Sequence, residues 1–165
     1  MITLNKLSEY LFNTSERLPL VIESTNKTDS LAQFIAQQRS MIDEKLLQHG
    51  AVLFREFKCA SLEDFDETAQ AYSPNRISYT YRSTPRSSVA DRIYTTTEYP
   101  AKHPIALHNE NAYSREWPLQ LMFACLIPSL TDGATPLADM LKVTQDIDPA
   151  VLDEFEKKKV MYLRH

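Results

Sequence analysis

The sequence predicts an α+β fold in a single domain that spans residues 1–165. Its length fits one domain, and a content of 43% hydrophobic and 24% charged residues is typical of globular proteins. Apolar residues at helical spacing dominate residues 1–72, which predicts an α/β N-terminal part. Short β-branched and aromatic runs interrupted by prolines dominate residues 73–165, which predicts a second part richer in strands.

The first predicted elements are a short helix and a strand. Residues 3–12 carry Leu4, Leu7 and Leu11 at helical spacing, which favours a helix. The run LPLVI at residues 18–22 is apolar and β-branched, which favours a buried strand.

A longer helix is expected next. Either Asp29 or Ser30 suits the N-cap position, and Gly50 suits the left-handed residue that ends a helix. Residues 51–57 then predict a buried strand, and Ser61 predicts the cap of another helix. The N-terminal part is therefore expected to run helix, strand, helix, strand, helix.

The second part holds the strongest strand pattern of the chain, the apolar run LQLMFACLI. Two aspartates, Asp139 and Asp148, are expected to begin helices, the second with proline at the first helical position. The strands predicted in this part are 93–98, 119–127, 135–139 and 160–163.

Charge and composition exclude several classes of function. The formal net charge of −4 and the lack of a basic run argue against a nucleic-acid or membrane-surface partner. Only two glycines occur, so glycine-rich phosphate loops are excluded. Cys59 and Cys125 are expected to be reduced thiols, and no signal peptide or membrane span is predicted. A cytoplasmic protein is the expectation.

One triplet points to metal chemistry: His108, Asn109 and Glu110. In an extended segment, residues i and i+2 project to the same side, so the imidazole and the carboxylate would converge. Two histidines and one carboxylate on one face bind non-haem Fe(II) and leave positions open. The alternative is that His108 packs against a strand and Glu110 is solvated.

The surrounding motifs make a resemblance specific over roughly residues 50–164. They are the string HNENAYS at 108–114, Trp117-Pro118, Pro128, the string GATPLAD at 133–139, TTEYPA at 96–101 with Thr95, and STPR at 83–86. In this order they resemble the taurine dioxygenase-like (TauD/TfdA) family of Fe(II)- and 2-oxoglutarate-dependent dioxygenases. The similarity is strongest to the clavaminate synthase-like and syringomycin-type branch.

The resemblance implies a partial double-stranded β-helix, or jelly roll, with N-terminal helices, the C-terminal half of the family fold being absent. It implies His108 and Glu110 as catalytic iron ligands and Thr135 as a ligand of 2-oxoglutarate. Asn109, Tyr113 and Trp117 match family positions near the metal strand, where a structural role is at least as expected as a catalytic one. Asp132 and Ala134 depart from the family's usual Gly and Glu.

The family's third ligand, a distal histidine, and the arginine that pairs with the cosubstrate fall beyond the last residue of this sequence. Three local histidines are the alternatives for the third ligand: His49, His103 and His165. His49 is expected at a helix end, where it complements the helix dipole.

The resemblance also implies a small amino-acid-like substrate, free or tethered to a carrier protein, in secondary metabolism. Four residues are candidates for binding it, with solvated surface positions as the alternative: Arg82, Arg86, Arg115 and Asn109. The carboxylate of Glu110 implies hydroxylation or desaturation, because related halogenases lack this group.

Two hypotheses of function follow. The first is a hydroxylase, or its metal-bearing half, completed by a homo-oligomer or by a partner chain that supplies the C-terminal half. The second is a catalytically inactive fragment that serves as a binding or interaction module. A cupin-like metal or sugar binder would need a histidine-rich cluster, which the sequence lacks.

Overall fold

A computed structural model describes residues 7–78, 86–96, 100 and 103–163. The described residues form four helices and two small sheets, which confirms the predicted mixture of helices and strands. The elements are β1 Leu7–Leu11, β2 Leu20–Ser24, α1 Leu31–His49, β3 Val52–Arg55, α2 Leu62–Tyr72, β4 Ser88–Ala90, β5 Ile93–Tyr94, α3 Met140–Asp146 and α4 Pro149–Lys158.

The first sheet has the strand order β1-β2-β3. Together with α1 and α2 it forms the N-terminal layer, residues 7–72. Strand β1 runs antiparallel to β2, and β3 runs parallel to β2 with Leu20 opposite Val52. Because parallel neighbours need a crossover connection, α1 links β2 to β3. The core lies between this sheet and the helices, and its most buried large side chains include Phe34 and Ile42.

Local caps set the ends of α1 and α2, as the sequence predicts. The Ser30 hydroxyl accepts a hydrogen bond from the Gln33 amide, and the Ser61 hydroxyl accepts one from the Asp64 amide. At the other end of α1, Gly50 adopts a left-handed φ of 78° and its amide donates to the Leu46 carbonyl.

The helix predicted at residues 3–12 is wrong for the described residues from Leu7, where the chain forms β1. Residues four apart share one face of a strand as well as one face of a helix. Leu7 and Leu11 use that spacing in a strand, where both pack against the core while the backbone pairs with β2. The spacing of Leu7 and Leu11 therefore does not distinguish a helix from a strand. Residues 1–6 lie outside the described part.

Three of the strands predicted in the second part are not formed: residues 119–127, 135–139 and 160–163 carry no strand. A strand is stabilised by backbone hydrogen bonds to a neighbouring strand, and these segments pair with no strand of the described residues. Within 93–98, strand β5 covers Ile93 and Tyr94, and residues 97–99 lie outside the described ones.

The helix starts predicted in the second part are confirmed. Asp139 caps α3, and Asp148 caps α4 with Pro149 in its first turn. Among the described residues, none of the helices is long and apolar enough to cross a membrane.

Candidate metal site

His108 and Glu110 lie side by side, with 3.7 Å between His108 Nε2 and Glu110 Oε2. The segment before them has no regular structure, and a turn begins at Glu110, so the predicted extended strand is not formed. The two side chains nevertheless meet. The Glu110 side chain is 14% exposed and the His108 side chain is 54% exposed, so one edge of the pair is open to solvent.

The backbone fixes the tautomer of His108. His108 Nδ1 lies 2.8 Å from the Ala106 carbonyl oxygen. A carbonyl oxygen only accepts, so Nδ1 carries the proton and donates it. In the neutral ring, Nε2 then bears the free lone pair, and Nε2 is the atom beside Glu110. This arrangement presents a nitrogen with a free lone pair next to a carboxylate.

Arg86 completes a charged cluster around Glu110. Its Nη2 atom lies 3.5 Å from Glu110 Oε2, the same oxygen that faces His108. The Arg86 side chain is 19% exposed, so this ion pair is shielded from solvent on most sides. Arg86 was predicted to bind a substrate carboxylate, and in this structure its guanidinium contacts the carboxylate of Glu110.

Asn111 is a polar residue of the site that the sequence reasoning did not single out. It is buried, and within the described chain its Oδ1 atom has no hydrogen-bond partner. Its φ of 54° is left-handed, and its carbonyl accepts from the Ser114 amide at 2.9 Å, which forms the turn. Asparagine tolerates this conformation better than most residues, and this was the available signal in the sequence.

The predicted 2-oxoglutarate ligand, Thr135, is exposed. It follows a turn in which Asp132 and Gly133 have φ values of 57° and 79°. Asp132 replaces the family's usual glycine and still adopts the left-handed backbone that glycine favours. A Cβ on Gly133 would lie 2.7 Å from Ser129 Cβ, so glycine is required there. That Thr135 shares a pocket with His108 stays a prediction.

The other candidate residues are scattered. Asn109 and Arg115 are exposed, as is Trp117. His49 ends α1, as predicted, with Nδ1 2.9 Å from the Arg17 carbonyl oxygen. His103 is exposed, while Arg82 and His165 lie outside the described residues.

His108 and Glu110 fit part of an Fe(II) site. An imidazole nitrogen and a carboxylate oxygen are ligand types that Fe(II) accepts. Their 3.7 Å separation is shorter than two typical metal–ligand bonds of about 2.1 Å each placed end to end. No group of three potential ligands occurs within residues 7–78, 86–96, 100 and 103–163. The described residues thus offer two candidate ligands of the three that an Fe(II) site of this kind uses.

Comparison with known proteins identifies the family of the chain. The chain is 35% identical over 155 residues to the dapdiamide synthesis protein DdaC of Enterobacter agglomerans, covering 94% of this chain and 46% of that protein. It is 33% identical over 135 residues to a clavaminate synthase-like protein of Arabidopsis thaliana, covering 80% of this chain and 41% of that protein. The chain thus spans less than half the length of these relatives. Residues 15–165 match the taurine catabolism dioxygenase TauD, TfdA family, and the chain belongs to this family.

Proposed function

We propose that this chain provides the metal-binding half of an Fe(II)- and 2-oxoglutarate-dependent oxygenase of the hydroxylase type. Membership of the TauD, TfdA family supports an oxygenase of this class. The observation that carries the proposal is the 3.7 Å approach of His108 Nε2 to Glu110 Oε2. When bound, iron and 2-oxoglutarate supply the oxidising power for attack on an unactivated C–H bond.

Neighbouring residues hold and orient the side chains that would bind iron and 2-oxoglutarate. The Ala106 carbonyl directs the lone pair of His108 Nε2 toward the site. Glu110 offers a carboxylate, and the contact with the Arg86 guanidinium restricts its rotation. We assign Thr135 to the cosubstrate, where its hydroxyl would donate to a carboxylate oxygen.

The third iron ligand and the rest of the jelly roll are proposed to come from polypeptide beyond these residues. Both relatives are more than twice the length that the chain covers. Residues 117–163 expose large apolar side chains, of which Leu119 is 93% and Ile127 is 89% exposed. Apolar surface of this extent favours burial against a partner. A chain supplying the C-terminal half, or another copy of this one, would cover it.

An amino-acid-like substrate, free or carrier-tethered, is proposed, in secondary metabolism. Support comes from the relative whose name places it in dapdiamide synthesis. Arg115 is exposed and is available as a cation for a substrate carboxylate. The side-chain amide of Asn109 is also exposed and is available to donate a hydrogen bond to it. The thiols Cys59 and Cys125 are free, in keeping with a cytoplasmic location.

Metal binding tests the proposal directly. Anaerobic Fe(II) titration of the chain, alone and with a polypeptide carrying the C-terminal half of a relative, should show binding that Glu110→Ala abolishes. The matched control is Glu116→Ala, because Glu116 is an exposed glutamate outside the pair. Addition of 2-oxoglutarate to the assembled protein should give a visible charge-transfer band, and oxygen should then yield succinate. Unchanged Fe(II) affinity in Glu110→Ala would refute the assignment.

The second candidate function is an inactive interaction module. The absence of a three-ligand group among the described residues favours it for the chain taken alone. A folded sample that binds no Fe(II) in either titration, yet captures the C-terminal polypeptide, would support this function over the first.

A further inference from the structure

Arg17 joins the N-terminal layer to the segment that carries Thr135. Its Nε atom lies 2.5 Å from Asp139 Oδ2, and its Nη2 atom lies 3.2 Å from Asp139 Oδ1. Its remaining nitrogen, Nη1, donates to the Gln48 carbonyl at 2.8 Å, near the end of α1. One guanidinium therefore holds the last turn of α1 and a carboxylate 122 positions further along the chain.

The Arg17–Asp139 pair has the features of a strong ion pair. The pair is bidentate, with two nitrogen–oxygen hydrogen bonds, which is the strongest geometry for a guanidinium and a carboxylate. The Asp139 side chain is 7% exposed and the Arg17 side chain is 32% exposed, so solvent screens the pair only in part. The hydrogen bond from Arg17 holds the pKa of the Asp139 carboxyl below its usual value, so the carboxylate is charged at neutral pH.

A neighbouring ion pair repeats the connection. Lys142 Nζ lies 2.6 Å from Glu16 Oε2, so consecutive residues of the N-terminal layer each bind the start of α3. Asp139 also caps α3 through the Leu141 amide, at 3.0 Å. The position of α3 and the position of Arg17 are therefore linked.

The segment Gly133–Asp139 is held at both ends. The left-handed turn at Asp132 and Gly133 sets its beginning, and the ion pair with Arg17 sets its end. Between them, residues 133–137 are exposed, so packing contributes little to their placement. Thr135 lies in this stretch, and its location depends on the two ends.

We propose that Arg17 is a positioning residue: by binding Asp139, it fixes the Gly133–Asp139 segment against the N-terminal layer and so presents the Thr135 hydroxyl to 2-oxoglutarate. The role of Thr135 rests on the proposed function. The role of Arg17 in fixing the segment rests on the distances alone.

Amide hydrogen exchange of the full chain tests the fixing step. Arg17→Met removes the donors and keeps the length of the side chain, so peptides covering 133–143 should exchange about tenfold faster. Arg17→Lys should restore part of the protection. The matched control is Lys45→Met, which removes an ion pair to Glu9 within the N-terminal layer and should leave 133–143 unchanged. Unchanged exchange in Arg17→Met overturns the proposal.

Steady-state kinetics tests whether Arg17 presents Thr135 to 2-oxoglutarate. The protein is assembled with a polypeptide that carries the C-terminal half of a relative. Arg17→Met should raise the KM for 2-oxoglutarate about tenfold with kcat nearly unchanged, as expected for lost cosubstrate binding. The double variant Arg17→Asp with Asp139→Arg should recover part of the loss. Faster exchange with an unchanged KM would make Arg17 merely structural and overturn its role toward the cosubstrate. A wild-type assembly without succinate formation contradicts the proposed function, and the exchange result still decides whether Arg17 fixes the segment.

Discussion

At the scale of single residues, Tyr72 shows how burial and charge act together. Its ring is buried beneath the guanidinium of Arg39, 4.0 Å from the ring centre, and its hydroxyl donates to Asp43 Oδ1 at 2.7 Å. Burial, followed by the hydrogen bond to Asp43, raises the pKa of Tyr72 to about 12. The folded protein therefore favours the neutral phenol.

This shift predicts a loss of stability at high pH. A tyrosine whose folded pKa is about 12 against an ordinary value of 10.0 contributes fully below pH 10, and its contribution is lost as the pH rises toward 12. The free energy of unfolding, from urea titrations at several pH values, should fall across this window. Tyr72→Phe should be less stable at neutral pH and should show a shallower fall. Parallel curves for both proteins would contradict the assignment.

The residues of the candidate site were predictable only in part. The spacing of His108 and Glu110 predicts that they meet, and they do so from a turn rather than a strand. Arg86 was anticipated as a cation of the site, but its contact with Glu110 depends on how β4 and the turn come together. Asn111 was missed because its burial is a property of the fold and not of the motif.

At the scale of elements, sequence signals that act within a few residues predict helices correctly. Strands, which depend on a neighbouring strand, are predicted less well. The caps Ser30 and Ser61 act within a few residues, so the sequence is enough to place α1 and α2. Strand formation depends on a neighbour that sequence pattern alone does not provide. Hence β1 replaces a predicted helix because β2 lies beside it, and residues 119–127 form no strand despite their composition.

The cap of α2 gives a prediction at this scale. Ser61 accepts from the Asp64 amide at 3.1 Å, while Asp64 accepts from the Ala60 amide at 3.1 Å. Ser61→Ala should lower the free energy of unfolding by about 1 kcal/mol, and Ser61→Asp should lose much less. Chemical denaturation measures both, with Ser8→Ala as an exposed control in β1. Equal stability of Ser61→Ala and the wild type would show that the cap contributes nothing.

At the scale of the whole molecule, the buried apolar core and the exposed apolar surface belong to different parts of the chain. The core cluster is drawn from residues 20–72, where α1, α2 and the first sheet meet. Large apolar side chains of residues 117–163 are mostly exposed. The N-terminal layer is thus packed mainly by its own residues, with Met122 of the second part against its core. The second part is expected to gain much of its stability from a partner.

The thiols of Cys59 and Cys125 allow this difference in burial between the two parts of the chain to be measured. Burial raises the pKa of the Cys59 thiol, whereas Cys125 lies on the exposed surface. Iodoacetamide should therefore modify Cys125 about tenfold faster than Cys59 in the chain alone. Adding a polypeptide that carries the C-terminal half of a relative should protect Cys125 and leave Cys59 unchanged, as followed by peptide mass spectrometry. Persistent reactivity of Cys125 in the assembled protein would place the partner elsewhere.

At the end of α1, Gly50 lies against Arg17, although the two residues are far apart in the sequence. Gly50 has a left-handed φ of 78°, and a Cβ at this position would lie 3.0 Å from Arg17 Nη2. Any larger residue would strain the backbone and would push the guanidinium that reaches Asp139 by a few tenths of an ångström. We therefore expect the effects of substitutions at position 50 and at position 17 to depend on each other. Whether a side chain is tolerated at position 50 depends on which residue occupies position 17. This dependence is a case of epistasis, and it arises because Gly50 lacks a Cβ atom.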